Sequence, residues 1–100
     1  MRILVREPME PLVLKEIKGT TEDFEKIVGG RLEVIPVFEG VYCIMNEDGE
    51  GTDGNYYHDD YGVVVGTVAF VSKDGDKFVS LTDKQLQEVC DYIGFPVIEE

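Results

Sequence analysis

Six carboxylates, three tyrosines and the only histidine of the chain fall within sixteen consecutive residues, 46–61, NEDGEGTDGNYYHDDY, with no Lys or Arg among them. Side chains of these types could hold a cation, move a proton or meet a partner's positive charge. The cation reading starts well. Asn46, Asp48, Glu50 and Asp53 are spaced like the opening of a calcium loop, and Gly51 takes the sixth place, where such a loop turns. The twelfth place is Tyr57, where the loop needs a bidentate Glu, so the segment reads as a solvated acidic loop. His58, Asp59 and Asp60 with Cys43 and Cys90 do not make a zinc pattern, because structural zinc sites use paired ligands at short spacing. Cys43 falls in an apolar strand pattern and Cys90 on the apolar face of a helix, so both thiols read as small buried hydrophobes.

Catalytic readings fare no better. A nucleophilic cysteine needs a base beside it, and nothing in the sequence orients His58 toward a thiol. Neither Gly29-Gly30 nor Gly49-x-Gly51 leads into the Gly-Lys-Ser/Thr of a phosphate loop. Paired acids for glycoside chemistry would need a polymer groove that a chain of this size hardly supplies. The expectation is therefore a non-enzymatic protein with no catalytic residue, no metal and no cofactor.

Partner contact suits the segment better. Tyr gives large contact area at low entropic cost and is enriched at interfaces. The candidate binding residues are Glu47, Asp48, Glu50, Asp53, Tyr56, Tyr57, His58, Asp59, Asp60 and Tyr61. Over the whole 100 residues, 21 acids oppose nine bases, for a net charge of −12. Such a balance excludes direct nucleic-acid binding, which needs clustered Lys and Arg. It fits carboxylates that imitate nucleic-acid phosphates in a basic groove of another protein.

No apolar run reaches the roughly 20 residues of a membrane span. The opening MRILVREPME is too short in apolar residues for a signal peptide. A cytoplasmic protein with reduced thiols is expected.

The elements that must position the acidic segment can be read on either side of it. RILVRE at 2–7 and LVLKEI at 12–17 read as strands joined in a hairpin, since the connection is too short for a parallel crossover. Thr20 caps a short helix over 21–28, with Glu22 and Asp23 in its first turn and Phe24, Ile27 and Val28 on one face. Gly29-Gly30 ends it. Residues 31–38 and 41–45 form a second hairpin about Glu39-Gly40, with Pro36 marking an edge or a bulge. Residues 46–61 read as one long loop, with a helical turn near Asn55–Asp60.

GVVVGTVAFV, 62–71, reads as a strand of high β-propensity in which Gly66 marks a bulge or close approach. Val63–Val71 is long and apolar, so a homodimer could form through its neighbouring edge. A turn centred on Asp74-Gly75 leads to a last strand at 77–81. Thr82 and Gln85 make a capping box for a second helix, with Leu86, Val89, Cys90 and Ile93 on its buried face. The order β-β-α-β-β-loop-β-β-α predicts an α+β domain over 1–94, with a mainly antiparallel sheet of five or six strands, two short helices packed on it and a tail at 95–100.

With those elements in place, the chain resembles the small proteins grouped as domain of unknown function family 3846 over roughly residues 2–93. The resemblance is carried by Ile27-Val28-Gly29-Gly30 followed by Glu33, by Asn46-Glu47-Asp48-Gly49, by Val65-Gly66-Thr67 and by Phe78-Val79-Ser80-Leu81-Thr82. Members often have a Gly-Leu-Pro-x-Asn-Arg-like stretch after the Asn-Glu turn, where this chain has Gly54-Asn55-Tyr56-Tyr57. The resemblance implies an accessory protein of phages or conjugative elements, and hence counter-defence. The expected partner is a host defence protein with a basic nucleic-acid channel, such as a CRISPR effector or a restriction enzyme. The alternative is a binder that sequesters a nucleotide immune signal through Gly51–Gly54 and the tyrosines.

Overall fold

The computed structural model describes residues 1–7, 10–47, 54–55, 64–93 and 97–99. The first hairpin forms as its short connection requires. Strand β1 (Arg2–Arg6) runs antiparallel to β2 (Leu12–Glu16), with Leu4 opposite Leu14. Helix α1 (Thr21–Val28) follows. The Thr20 hydroxyl accepts from the Asp23 amide, and the Asp23 carboxylate accepts from the Gly19 and Thr20 amides, which closes a capping box. At the other end, Gly29 closes the helix in the left-handed conformation, φ 82°.

Strands β3 (Leu32–Phe38) and β4 (Val41–Asn46) make the second hairpin, and its register shifts between Pro36 and Phe38. The bulge expected at Pro36 is there, on an outer strand of the sheet. The acidic stretch is not one uninterrupted loop. Asn46 is still in β4, and β5 (Gly54–Asn55) pairs antiparallel with β6 (Val64–Val65) in a separate two-stranded ribbon. Asn55 is thus strand rather than the start of a helical turn, and 56–60 lie outside the described residues.

The apolar run expected as a single strand over 62–71 is two. Gly66 takes a positive φ of 72°, and the main strand β7 (Val68–Asp74) begins after it. β7 is not an edge. It lies between β4 and β1, with Phe70 opposite both Cys43 and Leu4, so both its sides are occupied. Its hairpin partner β8 (Lys77–Val79) turns through Gly75 and Asp76, one residue later than expected, and stops short of Leu81. The Leu81 amide donates instead to Arg2 O, 3.0 Å, and the Ser80 hydroxyl accepts from the Arg2 amide, 2.9 Å. These bonds lead into α2 (Asp83–Ile93), which carries the expected Thr82–Gln85 capping box. After the helix, β9 (Val97–Glu99) pairs parallel with β2. The tail residues therefore add an outer strand.

The main sheet has seven strands in the order β3-β4-β7-β1-β2-β9, with β8 also on β7, and every pair but β2–β9 is antiparallel. This is the expected α+β class, with one helix on each face. Side chains alternate along a strand, and the core divides accordingly. Ile3, Val5, Ile44, Ala69 and Val71 pack with Phe24 and Val28 of α1. Leu4, Cys43, Met45, Val68 and Phe70 pack with Leu81 and with Val89 of α2. Leu86 and Cys90 join that second core as expected, while the side chain of Ile93 lies outside the described residues. Burial on both faces explains why β1 and β7 read as continuous apolar runs. No helix among the described residues is long and apolar enough to cross a membrane.

Candidate functional site

The acidic segment leaves the sheet where α1 ends. The strands place Arg6, Leu12, Leu32, Asn46 and Val68 at one end of the sheet, and the C-terminus of α1 meets them there. Two contacts fix the departure. The Asn46 side-chain amide donates to Val28 O, 3.2 Å, satisfying a carbonyl of the last helical turn, and the Glu47 amide donates to Arg31 O, 2.8 Å. Gly30 makes room for this. A Cβ there would lie 2.8 Å from Asn46 Nδ2 and 3.2 Å from Cγ. The segment returns through β6, whose pairing puts Val64 opposite Asn55.

Of the ten candidate residues, Glu47 is described, exposed at the exit from β4. Asp48, Glu50, Asp53, Tyr56, Tyr57, His58, Asp59, Asp60 and Tyr61 lie outside the described residues. The structure adds others that the sequence did not mark. Exposed Glu7 and Glu10 flank the β1–β2 turn at this same end, and exposed Glu33 stands in β3 opposite Met45. Arg6 is buried there, its Nε donating to Glu10 O at 2.9 Å, so its charge braces the turn. One signal for the exit was present in the sequence. A helix needs one glycine to cap it, and the second, Gly30, implied a close neighbour.

The opposite end has a different electrostatic character. Arg2, Lys15, Lys18, Lys73, Lys77 and Lys84 gather there with Glu16, Glu22, Asp23, Glu39, Asp74, Asp76 and Asp83. Arg2 pairs with Asp83 at 2.9 Å, and Lys73 Nζ lies over the Tyr42 and Phe78 rings at 5.0 and 5.6 Å. The charges there nearly balance, so almost all of the −12 belongs to the rest of the chain. Both thiols sit in the α2-side core, Cys43 fully buried and Cys90 partly, and neither forms a disulfide. Burial, helped by Asp91, pushes the Cys90 thiol up.

The segments that carry the family resemblance converge at the exit: Val28 and Gly30 of the first contact Asn46 of the second. The family model described as "Domain of unknown function (DUF3846)" matches residues 1–94. The chain belongs to this family. No curated protein and no solved structure matches it. The matched stretch holds every strand of the main sheet except β9, both helices and the whole acidic segment. The DUF3846 pattern therefore spans both the two-sided core and the end of the sheet where Asn46 and Glu47 leave β4.

Proposed function

We propose that the chain is a non-catalytic acidic binding protein that occupies the basic nucleic-acid channel of a host defence protein. The observation that supports it is the uneven placement of charge. Most basic residues lie at one end of the sheet among compensating acids, while the acidic segment is rooted at the other, beside Glu7, Glu10 and Glu33. An acidic segment rooted at one end of the sheet would attract a basic channel from a distance and orient the approach. The family resemblance adds a mobile-element setting, and with it a cytoplasmic site of action.

The test is a pull-down from a host lysate at two salt concentrations, read by mass spectrometry, with the wild type and a variant carrying Glu50→Gln, Asp53→Asn, Asp59→Asn and Asp60→Asn. A nucleic-acid-binding defence protein should be retained at low salt, fade as salt rises and be lost from the variant. Equal retention by the variant would refute the charge reading.

A further inference from the structure

We infer that the first half of β3, Leu32–Ile35, is a strand-addition site for an extended basic segment of the partner protein. This rests on the charge reading above and adds the place of backbone contact. β3 is an outer strand of the sheet, paired on one side with β4. The bond from the Glu47 amide to Arg31 O fixes the phase of that ladder. Arg31 and Glu47 continue the register of Leu32 with Asn46, and bonded pairs alternate with non-bonded ones in an antiparallel ladder. Glu33 and Ile35 therefore bond to Met45 and Cys43, and the N–H and C=O of Leu32 and Val34 point to the side on which no described strand pairs.

Pro36 falls in the same phase as Leu32 and Val34, so the next outward position has no N–H, and the shift in register before Phe38 bends the strand beyond it. The open edge is thus cut to one short stretch, and that stretch lies at the acidic end. Exposed Glu33 stands within it and exposed Glu47 at its side. Charge selects the occupant. In a two-fold antiparallel pairing of β3 with a second copy through Leu32 and Val34, the two Glu33 side chains would face each other, which is unfavourable. A strand bearing Lys or Arg would instead meet Glu33 with opposite charge, while Glu47 stands opposite this chain's own exposed Arg31.

The probe is an eight-residue peptide of alternating Lys and Val with blocked ends, added to isotope-labelled protein. Hydrogen exchange at the Leu32 and Val34 amides should slow on binding, while Glu33 and Ile35, already bonded to β4, should not change. Val34→Pro, which removes one outward donor, should weaken the peptide by about tenfold. Unchanged exchange at Leu32 and Val34, undiminished binding to Val34→Pro or no binding at all would overturn the edge site. If Val34→Pro does not fold, the exchange measurement on the wild type decides. The fourfold acidic variant tests the charge reading separately. Should it retain the defence protein while Leu32 and Val34 remain protected, the charge reading falls and the edge site stands.

Discussion

At the scale of single residues, Gly30 and Asn46 depend on each other. Gly30→Ala would push a methyl group against the Asn46 amide. A loss of about 1 kcal/mol is expected in urea unfolding, at the low end of overpacking costs. In an Asn46→Ala background the same change should cost clearly less, and an equal cost in both would show that the contact is not the cause. Asp23 gives a pH signature. Its bond from the Thr20 backbone, assisted by that from Gly19, holds its carboxyl below the usual range against a smaller opposing effect of desolvation. A lowered folded pKa means that the stabilisation is present above the ordinary Asp range and fades as pH falls through the lowered value. Wild type should therefore melt above Asp23→Asn at neutral pH, and the gap should close in strong acid. Cys90, with its raised pKa, should alkylate slowly at neutral pH and faster only in alkaline solution. The core role of both cysteines was legible in the sequence from their apolar neighbours. The bond from Asn46 to a helix carbonyl was not, because it joins residues 18 apart.

At the scale of elements, local chemistry was the reliable guide. Both capping boxes, the glycine helix stop and the bulge near Pro36 depend on residues close in sequence, and each forms where the residue types require it. The run 62–71 was misleading because β-propensity reports how a residue fits a strand, not where the strand breaks. Gly66 supplies the break through its positive φ. β7 then becomes interior, and its largest buried side chain should dominate stability. Phe70→Ala should cost about 3–5 kcal/mol, a large part of the ~5–15 kcal/mol expected of a whole domain. Urea unfolding would measure it, and a loss under about 1 kcal/mol would contradict the interior placement.

For the whole molecule, a charge of −12 concentrated away from one end of the sheet makes stability sensitive to ionic strength. Raising sodium chloride from 10 to about 500 mM, which shortens the screening distance from roughly 30 Å to a few Å, should raise Tm. A flat or falling Tm would mean that repulsion is already compensated in the fold. The net charge was legible from composition, but its sorting between two ends was not, since that depends on strand order. The same order has a bearing on how the protein is made. β1 precedes every other described strand in the chain, yet one of its two flanking strands begins at Val68. Until two-thirds of the chain has left the ribosome, the nascent β1–β2 hairpin carries Ile3, Leu4 and Val5 along an open, apolar edge. Pairings this distant in sequence form slowly, and incomplete chains with such edges associate with one another. Translation that stalls before residue 68 should therefore leave a sticky fragment, whereas the same pause after residue 80 should release a chain whose most vulnerable strand is already enclosed.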